Sequence, residues 1–356
     1  MKAMVMAAGV GSRLMPLTVN IPKPMVPMGN RPLMENTLKV LESNGFNDII
    51  ANLHYHPRLI SDYFQNGLEF GVRMNYSFEN ELMGTAGGVK NCEWFLNDTF
   101  AVVSGDALTD ANLRLLLENH RKKGALATIA LKKVDEVEQY GVVITDESDR
   151  ILKFQEKPKA EEALSNKANT GIYIFEPEIF RYIPPKQFYD FGKQVFPYLV
   201  KIGAPFYGVV IDNYWCDIGS LNTYRQAHKD ILEGKMPSYP LGEQIKTSPE
   251  GTLLLGKDVI IGKNVTFKGA VVVGDRCVIN DNTTISDTII WDNSVIGYGA
   301  VLSGAVIGSG CDIGDYTEIN KNAIIASNCR IKNGIRISMN QKVFNTTPGD
   351  LQATPG

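Results

Sequence analysis

The residues of this chain best suited to chemistry form a glycine loop near its start. The loop reads Ala8-Gly9-Val10-Gly11-Ser12-Arg13-Leu14-Met15-Pro16-Leu17-Thr18 and leads into Pro22-Lys23-Pro24-Met25. Glycine lets backbone N–H groups point at oxygens, so such loops approach phosphates closely. Arg13 within the loop and Lys23 shortly after it suit a triphosphate whose departing charge needs neutralising. The loop has neither the Gly-Lys-Ser/Thr ending of a Walker A loop nor the third glycine of a dinucleotide fingerprint. A second candidate is Asp106, which closes the run Ser104-Gly105-Asp106 after an apolar segment.

Elements that could position these residues alternate along the first half. Lys2 to Ala8 predicts a buried strand ahead of the loop. Pro32 to Ser43 predicts a helix, with Pro at its start and Gly45 just past its end. Asp48 to Leu53 and Phe100 to Val103 predict two further strands. Asp110 is placed to cap a helix that turns Leu113, Leu116, Leu117 and His120 to one face and ends before Gly124. Ala127 to Leu131 predicts another strand. This rhythm implies an α/β domain with a Rossmann-like mixed, mostly parallel sheet and helices on both faces. Ligands of such sheets bind at the carboxyl ends of the strands.

Composition narrows the function classes. The 356 residues carry 36 basic and 39 acidic side chains, a formal charge of −3, so a nucleic-acid binder is not expected. The length favours two domains. Cys92, Cys216, Cys277, Cys311 and Cys329 form no Cys-x-x-Cys pair, and free thiols in a reducing cytoplasm are expected. The apolar start is too short for a signal peptide, and no apolar run is long enough to span a membrane.

The texture changes after about residue 235. Gly234 to Pro249 reads as a connector, and then apolar residues recur every six positions. They stand at Ile261, Phe267, Val273, Ile279 and Ile285. After a one-residue slip they continue at Ile290, Ile296 and Leu302, and after a second slip at Ile307, Ile313, Ile319, Ile325, Ile331 and Ile337. A period of six fits a β-solenoid with one short strand per hexapeptide and three per triangular coil. These fourteen phased positions predict between four and five coils. The expected division is a first domain over 1–235, a linker over 236–252, a left-handed parallel β-helix over 253–339, and a polar tail over 340–356 that is expected to be disordered.

The glycine-loop string resembles the signature of the sugar-nucleotide pyrophosphorylases, nucleotidyltransferases that join a nucleoside triphosphate to a sugar 1-phosphate. Their common form is close to GxGTRLxPLT followed by KPM or KPL. Here Ser12 replaces the commoner Thr, and Ala8 stands where many members have Gly. Gly84-Thr85-Ala86-Gly87 resembles the family's base- and ribose-contacting segment. Ser104-Gly105-Asp106 and Trp215-Cys216-Asp217-Ile218-Gly219 resemble its two metal-carboxylate motifs. Tyr140-Gly141-Val142-Val143, Glu156-Lys157-Pro158 and Asn169-Thr170-Gly171-Ile172-Tyr173 resemble its sugar and sugar-phosphate motifs. Asp190-Phe191 with Val195-Phe196-Pro197 matches the mannose-type branch.

The resemblance implies a division of labour. Ala8, Gly9, Gly11, Ser12, Arg13, Gly84, Thr85 and Ala86 would bind the nucleotide. Gly141, Glu156, Lys157, Asn169 and Thr170 would bind the sugar phosphate. Asp106 and Asp217 would hold Mg2+, a hard cation suited to oxygen ligands. Arg13, Lys23, Asp106, Lys157 and Asp217 would carry catalysis, mainly by positioning and charge neutralisation. The expected partners are a nucleoside triphosphate, a sugar 1-phosphate and further copies of the chain, with no nucleic acid and no membrane. GTP and mannose 1-phosphate are the favoured substrates. A glucose-1-phosphate uridylyl-, thymidylyl- or adenylyltransferase is the alternative, ahead of a non-catalytic subunit that binds sugar nucleotide. Hexapeptide solenoids also occur in acyltransferases that use a solenoid histidine. His54, His56, His120 and His228 all precede the repeats, which counts against that chemistry.

Overall fold

The computed structural model describes residues 1–236, 243–248, 251–347 and 350–354, with side-chain surroundings for 1–236 and 251–344. Part of the expected linker, 237–242 and 249–250, and the tail positions 348–349 and 355–356 lie outside the described residues. The chain divides into two compact units. One comprises Met1–Val10 and Leu33–Asp217, the other Gly11–Pro32 and Ile218–Gly356.

The first unit is built on strands β1 (Lys2–Met6), β2 (Asp48–Leu53), β3 (Arg73–Phe78), β4 (Phe100–Ser104), β5 (Ala107–Thr109), β6 (Ala127–Lys133), β7 (Gly141–Thr145), β8 (Ile151–Glu156), β9 (Lys167–Phe175), β10 (Phe206–Val210) and β11 (Trp215–Asp217). Its helices are α1 (Leu33–Ser43), α2 (Pro57–Phe64), α3 (Gly84–Asn91), α4 (Leu113–Lys122) and α5 (Phe196–Lys201). β4, β1, β2 and β3 lie side by side and parallel. Ala3, Met4 and Val5 of β1 are fully buried, as a strand covered on both faces requires. β9 runs antiparallel to β4 and β6, and β10 is parallel to β6. The sheet is therefore mixed.

Two local expectations need correction. α1 begins at Leu33 because Arg31–Pro32 pair with Pro27–Met28 as a short hairpin. α4 is capped by Asn112, whose side chain accepts from the Leu115 amide at 3.0 Å. Asp110 instead accepts from the Tyr214 amide at 2.7 Å and so ties down the approach to β11. The predicted apolar face of α4 is the buried one.

The second unit is a solenoid of three parallel sheets. The first holds Gly251–Leu255, Ala270–Val273, Ile289–Ile290, Val306–Ile307, Ile324–Ile325 and Lys342–Thr347. The second runs from Ile260–Ile261 to Arg330–Ile331, and the third from Thr266–Lys268 to Arg336–Ile337. Five strands in each of the second and third sheets give five complete coils, at the top of the expected range. From Val273 onward all the phased residues are buried in the solenoid core. Ile261, in the terminal strand of its sheet among the described residues, is 39% exposed.

Both one-residue slips fall at the same corner, where Thr284–Ser286 leads to Ile289–Ile290 and Val301–Ser303 leads to Val306–Ile307. Stacked at one corner, they shorten it without disturbing the register of the other two. The expected disordered tail is a hairpin: Lys342–Thr347 joins the first sheet and pairs antiparallel with Asp350–Thr354. At the other end Glu243–Ser248, within the expected linker, pairs antiparallel with Gly251–Leu255.

Helix α6 (Leu221–Leu232) belongs to the solenoid unit and starts at a Ser220–Thr223 capping box. The fully buried Tyr224 donates its hydroxyl to the Pro27 carbonyl at 2.7 Å and accepts from the Trp291 indole at 2.9 Å. His228 accepts from the Gly29 amide through Nε2 at 3.2 Å and donates from Nδ1 to the Tyr224 carbonyl at 3.0 Å. Asn30 donates to the Val273 carbonyl at 2.8 Å. The stretch that follows Lys23 is thus fastened to α6 and to the coils. Among the described residues no helix is long and apolar enough to cross a membrane. None of the five cysteines is in a disulfide; Cys92, Cys277, Cys311 and Cys329 are buried, while Cys216 is only partly covered.

Candidate active site

A cleft of about 260 Å³ opens in the first unit where β1, β2 and β4 end. This is the carboxyl edge at which parallel sheets bind ligands. Five predicted residues line it: Ala8, Gly9, Gly84, Thr85 and Asp106. Ala86 is buried just behind. Gly84 has φ +73°, and a Cβ there would stand 2.6 Å from the Tyr189 carbonyl oxygen, so only glycine lets α3 meet the 189–191 segment. The Ala86 and Gly87 amides donate to that same carbonyl at 3.0 Å. The Thr85 hydroxyl donates to Asp190 at 2.9 Å. These donors hold the cleft wall in place.

The cleft also contains a buried polar chain absent from the sequence-based expectations. The Ala7 amide donates to Asn52 Oδ1 at 3.0 Å, and Asn52 Nδ2 donates to Glu79 Oε1 at 2.8 Å. Glu79 Oε2 accepts from the Met83 amide at 3.2 Å. Glu79 is 7% exposed. A Cβ on Gly88 would lie 2.7 Å from both Asn52 Nδ2 and Glu79 Oε1, so the glycine makes room for this pair. An asparagine ending the otherwise apolar run Ile49-Ile50-Ala51-Asn52-Leu53 is the signal that could have drawn attention to it.

Asp106 and Asp217 come together although they are far apart in sequence. β11 pairs antiparallel with β5, and Asp217 stands opposite Ala107, next to Asp106. Ser104 donates its hydroxyl to Asp106 Oδ1. The Trp215 indole donates to the Thr170 carbonyl at 3.0 Å, which orients β11. Glu79, Asp106 and Asp190 line the cleft with no cationic side chain among its lining residues. An anionic ligand entering such a place needs positive charge, and a cation held by only Asp106 and Asp217 would keep coordination positions open for phosphate oxygens and water, as Mg2+ prefers. Among the described residues no group of three or more His, Cys, Asp or Glu could enclose a metal by itself.

The predicted sugar residues form a second cluster in the same unit. A Cβ on Gly141 would stand 2.9 Å from Glu156 Oε2, and one on Gly192 2.7 Å from the same atom. Burial pushes the Glu156 carboxyl above its usual pKa; Asp190 adds to the rise, and Lys157 and Lys193 oppose it. Lys157 adopts φ +45°, directly after β8. The buried Tyr173 hydroxyl is raised by desolvation and feels Asp190, Glu156 and Asp106 together, which joins the two clusters electrostatically. Asn169 donates to the Tyr173 hydroxyl at 3.0 Å and accepts from the Gly171 amide at 3.0 Å. Thr170 is 2% exposed, and its hydroxyl donates to the Ala130 carbonyl at 2.7 Å. Its side chain therefore clips β9 to β6.

Gly11, Ser12, Arg13 and Lys23 fall in the solenoid-bearing unit. Gly11 has φ +70°, and a Cβ there would stand 2.8 Å from Lys23 Cβ. The loop therefore closes over Lys23, which is 5% exposed. Thr18 donates to the Gly11 carbonyl at 2.9 Å.

Residues 2–234 match the family model described as nucleotidyl transferase. The chain belongs to the nucleotidyl transferase family. Residues 244–337 match a second model, the left-handed β-helix domain of EIF2B subunit epsilon. A Synechocystis relative named UTP–glucose-1-phosphate uridylyltransferase is 48% identical over 246 residues, 65% of this chain and 63% of that protein. The match thus spans less than two thirds of that relative's length. A Mycobacterium tuberculosis relative named mannose-1-phosphate guanylyltransferase is 35% identical over 269 residues, 72% of this chain and 74% of that protein. A solved Bacillus anthracis structure, a candidate glucose-1-phosphate thymidylyltransferase, has a TM-score of 0.60 and 25% identity, covering 68% of this chain and 97% of that one.

Proposed function

We propose that this protein transfers a nucleoside monophosphate from a nucleoside triphosphate to a sugar 1-phosphate. A phosphate oxygen of the sugar 1-phosphate bonds to the α-phosphorus, the bond from that phosphorus to the bridging oxygen breaks, and pyrophosphate leaves with the electron pair. The supporting observation is the pairing of β5 with β11, in which Asp217 stands opposite Ala107, the residue after the cleft-lining Asp106. Mg2+ held by these aspartates would supply Lewis-acid charge for the phosphates. Lys157 holds the sugar phosphate against repulsion from the nucleotide, Glu156 takes sugar hydroxyls, and Arg13 and Lys23 neutralise the leaving group. Positioning and charge dominate, and no covalent nucleophile is required.

GTP and mannose 1-phosphate are the substrates we favour. Glu79 offers only acceptors to the cleft. Guanine carries adjacent N1–H and N2–H donors, whereas uracil carries one N–H between two carbonyl oxygens that a carboxylate repels. A second reading, UTP with glucose 1-phosphate, is favoured by the 48% identity to the Synechocystis protein. Pyrophosphate release over a matrix of triphosphates and sugar 1-phosphates with Mg2+ separates the two. Release with GTP and mannose 1-phosphate alone supports the first, release with UTP and glucose 1-phosphate alone supports the second, and none with any pair refutes the reaction. The solenoid faces are proposed to join copies of the chain, and a monomer in light scattering at micromolar concentration refutes that.

A further inference from the structure

A larger cleft lies wholly within the solenoid-bearing unit and has no part in the reaction above. Its volume is about 530 Å³, within the range of small-molecule sites. α6 forms one wall. The other is the solenoid corner where the two one-residue slips stack, and both shortened turns reach the cleft through Asp287 and Gly304. A cleft of about 390 Å³ adjoins it and shares Asn222, Arg225 and Asn322.

The linings are strongly cationic for this chain. Arg225, Lys229 and Lys321 face the first cleft, and Arg13, Arg225 and Lys342 the second. Five distinct cations line the two clefts against the single acid Asp287; Lys229 is paired with Glu233 at 3.6 Å, which leaves a positive excess on a protein whose formal charge is −3. Like charges gathered in a concave surface repel one another and focus a positive potential. Arg225 stands where the clefts meet and donates to Asn322 Oδ1. Burial holds its pKa below the usual guanidinium value, with Asp287 partly opposing. Gly304 has φ +60°, and a Cβ there would stand 3.2 Å from both Arg225 Nη2 and Lys321 Cγ. The glycine therefore keeps open the space that these two cations border.

We propose that this cleft is a regulatory anion site that takes a small phosphorylated metabolite carrying two or more negative charges, with Arg225 and Lys321 as its main contacts. A cleft of this volume on a chain of net negative charge suits such a molecule better than a nucleic acid. Arg13 lines the adjoining end. A ligand that draws on its charge lowers the neutralisation of departing pyrophosphate and slows turnover. This regulatory half rests on the reaction proposed above; the binding half does not.

Inorganic tripolyphosphate is the probe. Titration calorimetry without Mg2+ is expected to show binding to the wild type and to Asp106→Ala. The doubly substituted Arg225→Gln, Lys321→Gln chain is expected to bind at least about tenfold more weakly, as the loss of charge-assisted hydrogen bonds implies. Lys321 is exposed, so Lys321→Glu provides a variant whose folding is not at risk. Unchanged binding in Lys321→Glu, or no binding to the wild type at millimolar probe, overturns the site. In the pyrophosphate-release assay, inhibition by the probe should be stronger in the wild type than in Lys321→Glu. Equal inhibition in both reflects competition at the nucleotide cleft alone and overturns the regulatory half.

Discussion

Glu79→Gln tests the proposed base preference with the smallest change of shape. The carboxylate accepts from Asn52 at 2.8 Å and from the Met83 amide at 3.2 Å. A carboxamide has one oxygen, so one of these buried donors would face an NH2 group. Leaving a buried donor unsatisfied costs about 1–3 kcal/mol, and stability should fall by that order. The variant should also lose the negative charge facing guanine. A hydrogen bond to a charged group contributes about 1.5–3 kcal/mol, which corresponds to a loss of roughly 10- to 150-fold in kcat/KM for GTP. Uracil gains a donor opposite one of its carbonyls, so kcat/KM for UTP should hold or rise. The assay is pyrophosphate release with each triphosphate at fixed sugar 1-phosphate, alongside urea unfolding to measure the structural cost. An equal fall for GTP and UTP would refute the base-reading role and leave Glu79 as a structural link between Asn52 and Met83.

Asp106→Ala should lower turnover by orders of magnitude while circular dichroism and melting stay near the wild type; near-normal turnover would remove Asp106 from the metal pair. Gly141→Ala would place a Cβ 2.5 Å from Phe154 Cζ and 2.9 Å from Glu156 Oε2. It should cost about 1–3 kcal/mol of stability and raise KM for the sugar 1-phosphate, and an unchanged KM would detach Glu156 from sugar binding. His228 gives a pH dependence. Burial lowers its pKa from 6.5 to about 4, so its neutral form contributes stability that is complete above pH 6.5 and is lost as pH falls toward 4. Unfolding free energy should drop by roughly 2 kcal/mol more in the wild type than in His228→Gln between about pH 7.5 and about pH 5; parallel profiles would show that this histidine does not carry the acid sensitivity.

The local features were legible where one side chain's environment decides its position. Ile285, Leu302 and Ile319 announce their coils because a six-residue period has no other stable use, and all three are buried at one corner position of successive coils. That the glycine loop and Asp106 each follow a strand was legible from residue type and order. Partnerships across the chain were not. Asp110 and Asn112 are both capable caps, and the choice depends on Tyr214, which occupies Asp110. Nothing in the sequence around Asn52 reveals that Glu79 completes its hydrogen bonds. The same holds for Gly11–Pro32, which precedes most strands of the sheet yet clusters with the solenoid, fastened there through Tyr224, His228 and Asn30. The tail was misjudged because its polar composition outweighed the open strand edge waiting to pair with it.

The antiparallel partners at both ends of the first solenoid sheet also limit what the molecule can build. A stack of parallel coils presents at each end a row of unpaired backbone groups, and an identical stack could continue it without limit, as in a growing fibril. Glu243–Ser248 and the hairpin of Lys342–Thr347 with Asp350–Thr354 run the wrong way for another coil to follow. That sheet therefore offers no parallel edge at either described end for the coils of another copy to continue.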